Sequence, residues 1–255
     1  MNQKLMNERH TTIVNEIVDS IRQVILRNKV TNTELLLAIK FLQETGRAEH
    51  EMPLLLQAFF ESTTCRAKNE DLKGSSVAIE GPFYLEGAPE IPFGGEIKTL
   101  GEEDGEPIIV RGKITDVDGN PLENVRLDLW HSTPKGTYSG VHPGIPADHY
   151  RAKMTTGADG LYEVRTTKPV PYQIPHDGNT GELLIALGGH PWRPAHLHFK
   201  ARGEGLLEHI SQVYFEGEEY VDDDCCTGVC DELVLTFTTE NGVKVITKDF
   251  VLDAA

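Results

Sequence analysis

The chain has 255 residues, 39% of them hydrophobic and 25% charged, and carries a formal charge of −16. That apolar content is enough for a packed core, whereas the acidic excess argues against nucleic acid and anionic membrane surfaces, which are held through clustered Lys and Arg. No apolar run reaches the roughly 18 residues of a membrane span. The first ten residues lack a signal-peptide pattern, and four cysteines, three of them bunched as Cys225, Cys226 and Cys230, do not form a secreted disulfide framework. The expected compartment is the cytoplasm. The Cys225-Cys226 pair resembles half of a metal site, but no second pair at zinc-finger spacing exists. Reduced thiols, at least one packed against a cavity, are the simpler reading.

Residues 10–67 carry helical periodicity. Ile13, Ile17, Ile21 and Val24 share one stripe, with Val14, Val18 and Ile25 beside it. Thr31-Asn32-Thr33-Glu34 is a capping box that opens a second helix, with Gly46 as its expected stop. A third begins near Pro53 and continues through Leu54 to Phe60. Three helices this apolar must cover one another, the rest of the chain or a second subunit. The Gly/Pro-rich stretch 73–98, from Gly81-Pro82-Phe83-Tyr84 to Pro92-Phe93-Gly94-Gly95, reads as a packed connector.

From Pro107 the period becomes two. Strands are expected at 108–110, 125–130, 161–165, 196–201, 210–216, 231–237 and 243–251, with turns at Asp118-Gly119-Asn120 and Ala158-Asp159-Gly160 and a short helix from Glu182 to Leu187. About seven short strands with turns between them describe a β-sandwich. The expected fold is therefore mainly β, in three parts. These are a helical N-terminal unit (1–72), a connector (73–106) and a C-terminal β-sandwich (107–255).

The most informative segment is Arg193-Pro194-Ala195-His196-Leu197-His198-Phe199. Side chains at i and i+2 of a strand leave the same face, so His196 and His198 can converge on one metal ion. Two imidazoles do not suffice, and no carboxylate lies close enough in sequence to complete a triad. His190 and His131 are ambiguous. Tyr138 follows a strand, and Tyr172 is framed by Pro169, Pro171 and Pro175. Spacing alone fits these tyrosines to core caps as well as to ligands.

Four separated runs, in order, resemble the intradiol ring-cleaving dioxygenases. They are Glu80-Gly81-Pro82-Phe83-Tyr84, Trp130-His131-Ser132-Thr133-Pro134 to Tyr138-Ser139-Gly140, Val164-Arg165-Thr166-Thr167-Lys168-Pro169-Val170-Pro171-Tyr172, and Trp192-Arg193-Pro194-Ala195-His196-Leu197-His198. The similarity spans nearly the whole chain. It is greatest to the catechol and chlorocatechol 1,2-dioxygenases, with Tyr214-Phe215-Glu216-Gly217 and Val221-Asp222-Asp223-Asp224-Cys225-Cys226 leaning to the chlorocatechol branch. The resemblance implies a mononuclear non-haem Fe(III), one per chain, held by Tyr138, Tyr172, His196 and His198. It further implies ring opening of a catechol by O2 to a cis,cis-muconate in aromatic catabolism. Tyr172 would accept a substrate proton, Arg193 would stabilise negative charge on the ring, and Gln212 would orient the intermediate. Leu54, Ile79, Pro82 and Cys226 match positions that line the ring pocket, where a small Cys226 would leave room for chlorine. The helical unit matches one that makes homodimers and holds a phospholipid at their interface. The ligand motifs also fit a hydroxyquinol 1,2-dioxygenase, although Pro82 offers no partner for an extra hydroxyl. A non-enzymatic β-sandwich carrier and a zinc hydrolase are the alternatives outside this chemistry.

Overall fold

A computed structural model describes residues 7–101 and 105–255 of the protein. The chain forms two compact units, one ending at Glu49 and one running from His50 to Ala255. The first carries α1 (Glu8–Asn28) and α2 (Asn32–Arg47). The Asn7 side chain accepts from the His10 N–H at 2.9 Å to cap α1, and Thr31 and Glu34 close the expected capping box on α2. Gly46 does not stop α2. It lies in the last turn, where one glycine costs a helix only about 1 kcal/mol, and the chain leaves at Ala48 in an extended conformation that needs no glycine. The apolar stripe of α1 is exposed, with no residue of that helix buried.

The expected third helix is interrupted. It begins as α3 (Glu51–Leu56), widens into a π-helical turn over Gln57–Glu61, and resumes as α4 (Ser62–Asn69). Such π-turns concentrate at functional sites because they re-aim side chains. The connector is packed as expected, with Val77, Ala78, Ile79 and Phe83 buried.

The remaining elements are β1 (Gly95–Glu96), β2 (Pro107–Asp116), β3 (Arg126–His131), β4 (Arg151–Thr155), β5 (Leu161–Thr167), β6 (Tyr172–Gln173), α5 (Asn179–Ala186), β7 (Trp192–Arg193), β8 (His196–Arg202), β9 (His209–Phe215), β10 (Val234–Leu235), β11 (Thr238–Glu240), β12 (Val243–Thr247) and β13 (Phe250–Leu252). One sheet has the order β1-β5-β2-β12-β11, with β13 also on β2. A second has the order β10-β9-β8-β3-β4, and β6 and β7 form a separate ribbon. Four expectations change. β4 was not anticipated, because Arg-Ala-Lys-Met-Thr has little strand propensity, yet it pairs along β3. The segment 231–237 opens with a 3-10 turn before β10. The run 243–251 is two strands, separated where the Lys248 carbonyl turns to the Tyr162 hydroxyl at 2.5 Å. The short helix starts and ends slightly earlier than its apolar residues suggest.

The two sheets share one core, with Ile108, Val110 and Ile246 from one meeting Leu129, Phe199 and Val213 from the other. The fold is thus the expected β-sandwich. Period-two alternation divides the second sheet's side chains between its two faces. Leu197 and Phe199 of β8 join the sandwich core, which leaves His196 and His198 on the opposite face.

Candidate metal centre

Strand register lays out the site. His198 has Trp130 of β3 on one side and Gln212 of β9 on the other, and His196 lies opposite Tyr214. The β6-β7 ribbon places Tyr172 opposite Arg193. Tyr138 arrives on the loop after β3, which buried Arg151 fixes by donating to the Ser139 hydroxyl at 2.8 Å and its carbonyl at 2.9 Å. Gly136, at φ +73°, lets this loop pass close to Tyr172. A Cβ there would meet the Tyr172 Cβ at 3.0 Å, and the left-handed conformation disfavours any other residue.

The four expected ligands come together, all buried. His196 Nε2 lies 3.0 Å from His198 Nε2, which lies 3.2 Å from the Tyr138 hydroxyl. The Tyr172 ring packs edge-on to Tyr138 at 5.2 Å and tilted against His196 at 5.5 Å. His196 Nδ1 donates to the Pro194 carbonyl at 2.7 Å, which leaves Nε2 as the lone-pair donor. Burial drives both imidazoles towards neutrality. His196 falls to about 3, by burial and then Arg193, and His198 falls well below its ordinary value, by burial and then His196. Burial also pushes the Tyr172 hydroxyl up to about 12 and raises the Tyr138 hydroxyl well above its ordinary value. These groups suit a cation. Neighbouring ligands held at about 2.1 Å and right angles sit about 3.0 Å apart, which matches the observed spacings. Two phenol oxygens, which ionise readily on a metal, favour a hard, highly charged ion such as Fe(III).

Arg193 is fully enclosed and fixed along one edge. Its Nε and Nη2 each donate at 3.0 Å to the Asp224 carboxylate, and Nη2 also donates to Gln212 Oε1 at 3.0 Å and to the Tyr214 hydroxyl at 2.9 Å. Nη1 points to His196 Nε2 from 3.4 Å. Gln212 is held in turn, its amide N–H donating to the Ile79 carbonyl at 2.8 Å.

Leu54, Ile79 and Cys226 belong to the apolar cluster that contains Tyr138 and Tyr172, together with Ala58 and Phe83. Pro82 is exposed and lies outside that cluster. Its neighbour Phe83 stacks on Tyr138 at 4.4 Å instead. His131 is buried between the Ser132 carbonyl and the Thr166 hydroxyl, both at 2.7 Å, and His190 pairs with Asp223. Neither is brought to the four ligands by these contacts. Sequence reading missed Asp224, which is indistinguishable from exposed Asp222 and Asp223 until the fold buries it. It also missed Trp130 as the plate stacked on His198 at 4.6 Å, although alternation in β3 placed it beside the histidine strand.

The family profile described as Dioxygenase matches residues 79–254, and that described as Catechol dioxygenase N terminus matches residues 7–75. The chain is 45% identical to a chlorocatechol 1,2-dioxygenase of Pseudomonas putida, over 97% of this chain and 94% of that protein. It is 32% identical to a 6-chlorohydroxyquinol 1,2-dioxygenase of Cupriavidus pinatubonensis, over 95% and 88% of the two chains. Among solved structures, chlorocatechol 1,2-dioxygenase from Pseudomonas putida superposes with a TM-score of 0.92, covering 97% of this chain and all of that one.

Proposed function

We propose that this chain, which belongs to the intradiol dioxygenase family, opens the ring of chlorocatechols and catechol between the two hydroxylated carbons, using O2, to give chloro-cis,cis-muconate or cis,cis-muconate. Tyr138, Tyr172, His196 and His198 would hold a non-haem Fe(III). When bound, this ion supplies the Lewis acidity that acidifies both catechol hydroxyls and draws electron density from the ring. The observation that carries this reading is the convergence of two buried phenols and two neutral imidazoles, with Tyr138 Oη and His196 Nε2 each at the spacing of neighbouring metal ligands from His198 Nε2 and the Tyr172 ring packed against Tyr138 and His196. Greater identity to chlorocatechol than to hydroxyquinol enzymes supports the substrate class.

The remaining work falls to the protein. Burial makes the Tyr172 oxygen strongly basic once ionised, so Tyr172 Oη is suited to take a proton from the entering catechol. Arg193 holds a fixed cation with Nη1 turned towards the centre, where it offsets negative charge on the ring. Gln212 keeps that guanidinium and the Ile79 backbone in register. Leu54, Ile79 and Cys226 would orient the ring and exclude water, with Cys226 leaving space for chlorine.

The exposed apolar residues of α1 and α2 support a homodimer through the helical unit, where an acyl chain of a phospholipid could also lie. No helix among the described residues is long and apolar enough to cross a membrane.

The visible spectrum of the purified protein, read with its iron content, tests the centre. A broad tyrosinate-to-Fe(III) band with one iron per chain is expected. A protein that stays colourless after ferric reconstitution would overturn the ligand set.

A further inference from the structure

The vicinal thiols Cys225 and Cys226 have no part in the proposed reaction as a pair. Their sulfurs lie 3.7 Å apart. Cys226 is buried in the cluster that holds Leu54, Ile79 and Tyr172, and half-buried Cys225 packs against the same cluster. Two sulfurs gripping one pyramidal trivalent atom at about 2.3 Å and an angle of about 90–100° lie about 3.3–3.5 Å apart, within a few tenths of an ångström of the spacing this pair already has. A disulfide is the less accessible alternative. Adjacent Cα atoms are about 3.8 Å apart, below the roughly 4.4–6.8 Å that an unstrained disulfide spans.

Asp224 is the further donor within 4.8 Å of both sulfurs. Both its oxygens are committed, Oδ1 to Arg193 Nε and the Cys226 N–H, and Oδ2 to Arg193 Nη2 and the Gly228 N–H. The site therefore offers two thiols and no free carboxylate. It suits a centre that asks for two thiolates and nothing more. The Cys225–Cys226 hydrogen bond, and then Arg193, also lower the Cys226 thiol against the effect of burial, while Cys225 is raised.

We propose that Cys225 and Cys226 form a chelating dithiol site, in the wall of the ring pocket, for monosubstituted trivalent arsenicals. With an arsenoxide, two As–S bonds form as the As–O bonds break. The oxygen leaves with both thiol protons as water, arsenic remains trivalent, and no electrons are exchanged. The substituent carried on arsenic then occupies space beside Cys226, and the adduct blocks the pocket.

The test is titration of the intact iron-loaded protein with phenylarsine oxide. Native thiol counting should lose two thiols per chain, and the intact mass should rise by one arsenical less one water. Release by a dithiol, but not by an equal concentration of monothiol, is expected. Cys225→Ser and Cys225→Ala should each weaken binding about 100-fold by removing the second intramolecular attachment, whereas the double variant Cys65→Ser/Cys230→Ser should bind as the parent does. Unchanged affinity in both Cys225 variants, loss of binding in the double variant, or no loss of thiols in the parent would overturn the proposal. Inhibition of ring cleavage depends on the proposed function, but thiol count and mass do not. A two-thiol adduct without inhibition would therefore keep the chelate and overturn its place in the pocket wall.

Discussion

At the scale of single residues, Asp224 shows how a carboxylate can serve the site without touching substrate. By taking Nε and Nη2 of Arg193 it fixes the guanidinium plane and leaves Nη1 for the centre. Asp224→Asn keeps the shape but loses the doubly charge-assisted pair. We expect kcat to fall about 100-fold, the scale on which a small misplacement of a reacting group is felt, with iron content and the visible band retained. An unchanged kcat would show that Gln212 and Tyr214 hold the arginine unaided. Loss of iron together with activity would show that the pair supports the fold and not the arginine's aim. Cys226 sets the other residue-scale prediction. Cys226→Phe fills space in the apolar wall and should lower the kcat/KM ratio of chlorocatechol to catechol at least about 10-fold, the order expected for a small change in pocket volume. Equal ratios in variant and parent would remove Cys226 from substrate selection.

At the scale of elements, β2 carries strain-sensitive geometry that composition conceals. It pairs first with β12 and then with β13, and the intervening Lys248 carbonyl sits where a Cβ on Gly112 would be, 1.8 Å away. Gly112→Ala should cost about 3 kcal/mol, the upper end for overpacking, and thermal unfolding of the variant beside the parent measures it. A loss below about 1 kcal/mol would mean that β13 moves aside freely. The same junction explains what the sequence made legible. Alternation in 243–251 correctly predicts strand but contains no sign of the break, because the break is specified by a partner residue over a hundred positions away. Likewise His196 and His198 were readable from a two-residue spacing, and the two tyrosines only from resemblance. The Tyr138 loop is set by Arg151 and by the close pass of Gly136 over Tyr172, and Tyr172 by the pairing of β6 with β7, all of them tertiary contacts. The π-turn at Gln57–Glu61 has no periodic signature, since its residues continue the apolar pattern of the helices on either side.

At the scale of the whole molecule, buried titrating groups and an exposed apolar surface set how the protein responds to its medium. Burial lowers His131 to about 4 and His209 to about 4, against about 6.5 in an unfolded chain. The folded state thus binds fewer protons between those values. The stability these two histidines contribute should be complete above about pH 6.5 and be lost as the unfolded chain takes up protons down to about pH 4, by at most about 3 kcal/mol for each histidine. Denaturant melts across this window, repeated with His131→Gln, should show a shallower slope in the variant; an identical slope would assign the dependence elsewhere. The apolar stripe of α1 makes a separate demand. Ile17 and Ile21 are each 54% exposed, and Leu36 of α2 is 65% exposed, whereas a lone soluble chain rarely shows water a continuous stripe of this kind. A second copy of the same helices would cover it with a self-complementary surface. Light scattering should then give twice the 28.3 kDa chain mass. Ile17→Asp/Ile21→Asp should shift the equilibrium to monomer by placing charge in the seam, while the visible band stays in place because all four proposed ligands lie in the unit that begins at His50. A parent that is monomeric at high concentration would leave the stripe to some other partner, and a variant that loses both dimer and colour would tie the metal centre to assembly.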